Sequence, residues 1–364
     1  MNTSGQIDDS NYFHDSNEND PGPAAPQQQV PPEIKAAKRY EGGLELPVAG
    51  STGYASISLQ LMESADSGSR VLRAVEAGTA FEVIREEGEW WLVNREGFTG
   101  WLLHKYCLIN LPDVIPSIIY DNTNTYSSRF ASSGKEIPGI SNKSLYSGKT
   151  YNTRLDREEY LMPVLYTMSK KIYEAQKLAL SEGNSLKIYE GFRPYSVQLA
   201  VGQGLTDLAN KDKTVMAGIN APPWGISWFI VKGVSNHQVG YAIDVGLVKV
   251  NEGKEITVGP YTVPLITDYL EYTMPSPIHE LSGASAAFRT PVNSMSPTAW
   301  KNAAFAQTMN DSAKKLQFYC TEAKLTPLAS EWWHFNDLEA KDEVAGKAGN
   351  GKFALTDCLS SLPG

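Results

Sequence analysis

Cysteine and histidine are scarce in this chain, with 3 and 5 residues respectively in 364. The three cysteines, Cys107, Cys320 and Cys358, show no Cys-x-x-Cys spacing, which excludes a cysteine-built zinc ribbon. Cys320 and Cys358 are able to pair if the carboxy-terminal tail folds back, and three free thiols fit equally well. None of the three sits in a nucleophile setting. Positive charge is also short: 32 Lys and Arg stand against 41 Asp and Glu, a net charge of −9. Nucleic acid asks for a concentrated basic patch, and anionic membrane surfaces attract basic segments, so neither is an expected partner. No apolar run approaches the ~18 residues of a membrane-spanning helix.

Hydrophobic residues at 41% and charged residues at 20% suit ordinary globular cores. A chain of 364 residues leads to an expectation of two domains. Residues 1–40 are read as a disordered polar linker, because Asn, Asp, Ser, Gln and Pro dominate up to Pro32. This stretch lacks the basic start and apolar centre of an export signal. A signal or anchor upstream of this chain and a cytoplasmic start both stay open.

Residues 41–111 read as a small all-β unit. Short runs such as Phe81–Ile84 and Trp90–Val93 alternate with turns at Gly88, Gly97 and Gly100. The segments around Gly78, Gly88-Glu-Trp-Trp and Gly100-Trp101, with Tyr106, resemble bacterial SH3-like domains. That resemblance implies a barrel that tethers the chain to peptidoglycan. Of Trp90, Trp91 and Trp101, at least one is expected in the barrel core; an exposed aromatic groove for a wall peptide or glycan is the alternative use.

Residues 112–364 mix helices and strands without strict alternation, so an α+β domain is expected. Asp156-Arg-Glu-Glu159 has the form of a capping box opening a helix, with Pro163 in its first turn. Apolar residues at Val164, Leu165, Met168, Ile172, Ala175 and Ala179 keep helical spacing, and Gly183 ends the run. A strand is expected over Leu186–Tyr189, a helix from Ser196 to about Leu208, and a strand over Val239–Val250. A second long helix is expected over Trp300–Lys324, then an aromatic strand over Glu331–Phe335.

Two segments carry chemistry. Ser235-Asn-His237-Gln-Val-Gly240-Tyr-Ala242-Ile-Asp244 offers an imidazole and a carboxylate, and Glu331-Trp-Trp-His334 offers another of each. Neutral imidazole and carboxylate suit zinc, and three protein ligands leave a fourth position for water. Read separately, the first segment is also a surface His and an unrelated acid. The second is also a core strand with two polar residues facing outward. On a regular strand Glu331 and His334 point to opposite faces, so a local twist or bend must bring both to one metal. The small Gly240 and Ala242 suit a backbone passing close beneath a metal, or simple strand packing.

Together the two segments resemble the metal motifs of the zinc D-Ala-D-Ala peptidases, which include dipeptidases, carboxypeptidases and endopeptidases of bacterial wall peptides. Tyr189-Glu190-Gly191-Phe192-Arg193-Pro194 is similar to that family's arginine segment, with Glu190 where Asp is usual. Ile119–Tyr126 resembles the start of the dipeptidase domain. The resemblance implies one zinc per chain on His237, Asp244 and His334. It also implies Glu331 as general base and Arg193 as the oxyanion partner. Without it, Arg193 reads as a structural salt bridge. Ser235, Glu190 and Tyr120 are expected to contact substrate or support the ligands. His279 and Glu280, in a Pro-rich loop between the motifs, match a substrate-side position, although a solvated pair is the simpler reading. His14 and His104 are read as incidental.

The expected function is therefore zinc-dependent hydrolysis of D-Ala-containing wall peptides or peptidoglycan, of D-alanyl-D-alanine dipeptidase type. A D,D-carboxypeptidase or endopeptidase is the alternative within the class, and a non-catalytic wall-binding adaptor is the rival from outside it. The tethering module favours a cell-wall or extracellular location, and a cytoplasmic one stays open.

Overall fold

The computed structural model describes residues 38–363. The polar arm expected over 1–40 therefore lies outside the described residues except at its end, where Lys38 bridges Tyr261 and Tyr40 packs edge-on to the same ring. The described residues belong to one compact unit.

The first sheet uses β1 (Thr52–Ala55), β2 (Leu59–Met62), β3 (Val71–Val75), β4 (Ala80–Glu87), β5 (Trp90–Arg95), β6 (Phe98–Leu103) and β7 (Cys107–Asn110). All are short and turn-bounded, as the Gly-punctuated runs required. Trp91 and Trp101 are buried, Trp101 beneath the Arg85 guanidinium, whereas Trp90 is half-buried beside Leu59, Leu103 and Tyr106 in a surface groove. Two of the three tryptophans are thus core.

After the single-turn α1 (Leu111–Val114) come β8 (Ile119–Tyr120) and two hairpins, β9 (Ala131–Ser132) with β10 (Lys135–Glu136) and β11 (Lys149–Asn152) with β12 (Arg157–Tyr160). The expected capping box at Asp156 is a hairpin turn instead. Asp156 has φ 53°, and Arg157 starts a strand. A local Asp-x-x-Glu pattern was overridden by cross-strand pairing. Next, β13 (Pro163–Leu165) adds to the edge of the first sheet beside β7, pairing Leu165 with Leu108. The first sheet runs β13-β7-β1-β4-β5-β6-β2-β3.

α2 (Tyr166–Ser181) keeps the expected spacing at Met168, Ile172, Ala175 and Ala179 and stops before Gly183, which has φ 73°. Val164 and Leu165, expected in the same helix, lie on β13 instead, where pairing with β7 claims them. β14 (Asn184–Glu190), α3 (Tyr195–Lys211) and α4 (Lys213–Ile219) come next, then the short α5 (Asn236–Val239). β15 (Ala242–Val258) and β16 (Tyr261–Glu271) form a long hairpin. α6 (Asp311–Glu322) is shorter than expected, because Ala299–Asn302 is a separate 3₁₀ turn. β17 (Thr326–Leu328), β18 (Glu331–Asn336) and α7 (Leu338–Glu343) close the fold. The second sheet runs β17-β18-β15-β14-β8, with β16 also on β15, and α2 and α6 pack on it. An all-β unit followed by a mixed α/β region is the architecture, as expected.

Apolar residues of both sheets belong to one continuous core, from Trp91 and Leu108 through Leu165 to Ile188 and Phe335. The tail ties the sheets together further. Phe353 stacks on Phe192 and packs at Gly78, Tyr54 donates to Asp357 O, and Ser361 N donates to Gly50 O. Cys320 and Cys358 do not pair. All three thiols are free, with Cys320 buried in α6 and Cys358 beside Thr52.

Gly240 sits where these regions meet. Its φ is 93°, and a Cβ there would lie 2.5 Å from Leu108 Cδ2. Backbone sign and packing against the first sheet therefore require glycine here, rather than the closeness to a metal anticipated above. Gly240→Ala should cost about 1–3 kcal/mol, read as a lower urea midpoint.

Glu45 is buried, accepting from Ser117 N at 3.0 Å and from the Ser117 hydroxyl. Burial pushes its carboxyl up to about 7, against the pull of those two bonds. A folded value above the unfolded one means the native state holds the extra proton. This stabilisation is complete below the unfolded value and is lost as pH rises through about 7. Glu45→Gln should flatten the fall of the urea midpoint between about pH 5 and 8; an unchanged slope would assign that fall to other groups.

Candidate metal centre

Three adjacent strands align the site. Asp244 on β15 pairs directly with Glu190 on β14 and with His334 on β18. Directly opposed residues share a sheet face, so the pairing alone sets the three side chains in a row. A bulge at Tyr189 shifts the β14 register by one residue and sets Glu190 opposite Asp244. His237 comes from α5, just before β15, and Arg193 from the turn just after β14.

The strand problem at Glu331 is solved on one edge only. On the β15 side the register of β18 is regular through His334. On the β17 side, Pro327 pairs with Phe335 while the next residue, Leu328, pairs with Glu331. That irregularity turns Glu331 back, bringing Oε2 to 3.7 Å from His334 Nδ1.

The donor atoms converge. His334 Nδ1 is 3.0 Å and His237 Nε2 3.3 Å from Asp244 Oδ1, and the two nitrogens are 3.2 Å apart. A tetrahedral metal with bonds of about 2.0–2.1 Å has ligand atoms about 3.3 Å from one another. Each imidazole also has its other nitrogen tied. His237 Nδ1 donates to Gly191 O at 2.7 Å, and His334 Nε2 donates to Asn336 Oδ1 at 3.0 Å. This fixes the tautomers so that His237 Nε2 and His334 Nδ1 carry lone pairs toward Asp244, the arrangement zinc-binding imidazoles use. Burial lowers the His237 pKa and favours its neutral, ligating form. Burial opposes ionisation of Asp244, yet His237, His279 and His334 hold its carboxyl well below the usual range. The residues present fit a zinc ion.

Arg193 occupies the far side of Asp244. Its Nη2 donates to Asp244 Oδ2 at 3.2 Å, Nε and Nη2 both donate to Glu190, and Nη1 donates to Gln198 at 2.8 Å. Glu190, Asp244 and His279 also form a group of close metal-type donors. Here Arg193, bonded to two of the three, already supplies the positive charge. Arg193 does form a salt bridge, and it also lines the cavity above the donors.

Glu331, Arg193 and Ser235 all line this cavity with the three donor residues. Ser235 opens α5 in a capping box with Gln238, whose Oε1 accepts from Ser235 N at 2.6 Å. Glu190 is fully buried away from the wall, its Oε1 taken by Asn124 and Tyr146, so it supports Arg193. Tyr120 is not at the site. Its hydroxyl donates to Ile115 O at 2.9 Å, and its role is packing. Burial pushes the Glu331 carboxyl up to about 8, with His334 pulling the other way.

His279 is where the simpler sequence reading fails. Neither it nor Glu280 is solvated. Glu280 holds the turn at Ser133 and Gly134 and takes the Ser282 hydroxyl. His279, at φ 62°, stacks on Phe130 with ring centroids 4.5 Å apart and donates Nε2–H to Asp244 Oδ2 at 3.1 Å. Phe130, Gln198 and Asn336 were not anticipated as site residues. Only Asn336 left a sequence signal, since it shares a strand face with His334 two residues away.

The family model described as Bacterial SH3 domain matches residues 58–107. No curated protein matches the chain. Residues 58–107 span β2 to the start of β7, so an SH3-type all-β domain precedes the mixed region that holds the site. Among the described residues, no helix is long and apolar enough to cross a membrane.

For a zinc ion held by these donors, with His279 fixing Asp244, His279→Ala should weaken binding by about tenfold or more, measured by competition with a chromophoric chelator. His279→Gln, which keeps an N–H donor, should restore part of the loss. Unchanged affinity in the Ala variant would show that Arg193 alone fixes the carboxylate.

Proposed function

We propose that this chain is a zinc-dependent peptidase acting on D-Ala-containing peptides of the bacterial cell wall. The observation that carries the reading is the convergence of His237 Nε2, His334 Nδ1 and Asp244 Oδ1 within 3.3 Å, each imidazole held by a second hydrogen bond. The wall assignment rests on the bacterial SH3 domain, which is compatible with cell-wall association, and on the resemblance of the two motifs.

In this reading His237, Asp244 and His334 hold the metal. A zinc ion there supplies a water of pKa about 7 and polarises the scissile carbonyl. Glu331 takes the proton of the attacking water and returns it to the departing amine nitrogen. Its Oε2 stands 3.7 Å from His334 Nδ1, which supports a proton-transfer role beside the donor cluster. The remaining Nη1 N–H of Arg193 would meet the carbonyl oxygen as negative charge develops there, and the guanidinium's anchoring on Glu190, Gln198 and Asp244 leaves it little to reorganise. Trp333 and Leu281 would keep the walls dry.

Zinc analysis and turnover of D-Ala-D-Ala and of a wall pentapeptide test the proposal. The expected result is one zinc per chain and cleavage of a peptide. Glu331→Ala should keep its zinc and lose activity by about 10²–10⁴-fold. Protein that retains no zinc and cleaves neither peptide would sink the reading.

A further inference from the structure

The cavity over the donors measures about 400 Å³, within the range of pockets that enclose drug-sized ligands. Away from the imidazoles and carboxylates its wall mixes polar residues, Ser227, Asn236 and Ser294 among them, with an apolar run of Trp228, Val231, Val234 and Met295. Val231, Val234 and Met295 are 40%, 47% and 45% exposed, so large apolar side chains stand in water at its mouth. Such a surface gains most from covering by apolar substrate groups.

A free dipeptide brings a charge at each end, and charges taken out of water need partners. Among the described residues, the only carboxylates on the wall are Asp244 and Glu331. The first faces the metal donors and the second is the proposed base. Glu190, the nearest other acid, is off the wall and bonded to Arg193, Asn124 and Tyr146. Tyr120, in the segment that resembles the start of the dipeptidase domain, has its hydroxyl turned to Ile115. A terminal carboxylate fares no better. Arg193 is the only Lys or Arg on the wall, and four hydrogen bonds to Glu190, Gln198 and Asp244 leave about one of its five N–H groups. That one suits a single carbonyl oxygen rather than a carboxylate.

We propose that the site takes an internal peptide bond of a longer chain, with both termini outside the cavity and apolar residues beside the scissile bond resting on Trp228, Val231, Val234 and Met295. This rests on the peptidase reading. Water adds its oxygen to the acyl carbon, the C–N bond breaks, and Glu331 passes the proton to the amine nitrogen, leaving a new carboxyl and a new amine.

Calorimetric titration of zinc-loaded Glu331→Ala full-length protein decides substrate length separately from turnover. The probes are free D-Ala-D-Ala and N-acetyl-tetra-D-Ala amide. The doubly blocked tetrapeptide should bind at least tenfold more tightly. Val234→Asp, at the exposed mouth, should weaken that binding about tenfold with zinc content unchanged. Equal or tighter binding of the free dipeptide overturns the proposal, as does a Val234→Asp protein that keeps its zinc and binds the tetrapeptide as before. Absence of wild-type turnover on both probes and on the wall pentapeptide would instead count against the peptidase reading, leaving the binding order to judge this one.

Discussion

The carboxylate of Asp244 is the constraint on which the site depends. It is buried, yet it remains charged because each oxygen has its own set of partners. Oδ1 faces His237 and His334, while Oδ2 takes Arg193 and His279. A buried carboxylate without such partners would cost several kcal/mol. Division of labour between the oxygens also settles direction. With Oδ2 held from behind by two N–H donors, Oδ1 is the oxygen left to meet a cation in front.

Those partners come from four places in the sequence, and the fold brings them in by different physical routes. His334 arrives by strand register, His237 by a short helical turn, Arg193 by the turn after β14, and His279 on a strained loop stacked against Phe130. Only the first follows from pairing alone. The turn carrying His237 leads into Gly240, whose positive φ and contact with Leu108 lean directly on the SH3-type unit. The backbone N–H of Leu165, on β13, donates to Gly240 O at 2.7 Å and links the same point to the edge of the first sheet. The all-β unit is therefore part of the scaffold of the site, and its core is continuous with the rest.

How much of this was legible in the sequence depends on the range of the interaction. Helix α2 and strands β14 and β18 were readable because their apolar periodicity is local and agrees with their packing. The segment after Asp156 misled because four residues that fit a helix cap are short enough to be recruited into a hairpin. Trp300–Lys324 misled because a turn and a helix in succession mimic one long periodic run. At the site, the imidazoles and carboxylates of His237, Asp244, His334 and Glu331 were readable from type and spacing, Arg193 from resemblance alone, and the structure brings all five together. Tyr120 was placed at the site by resemblance alone, and its hydroxyl turns elsewhere. His279 was underrated because the value of a loop histidine depends on where a distant strand carries Asp244, which no local pattern encodes.

The SH3-type unit and the mixed region share one core, which constrains how such a unit, if it engages wall material as proposed, serves the site at Asp244. A module on a flexible linker raises local substrate concentration but leaves its orientation free. Here β13 extends the first sheet, and the tail fastens Gly50, Tyr54 and Gly78 to the far end of the chain. Any ligand held in the groove at Trp90 is thus held at a fixed direction from the cavity at Asp244. A fixed direction favours polymers that can reach both places at once, and it penalises small free molecules that gain nothing from the second contact. The rigid union of the two sheets and, among the described residues, the shortage of counter-charges on the cavity wall both support the substrate proposed above, an extended chain met along its length rather than at its ends.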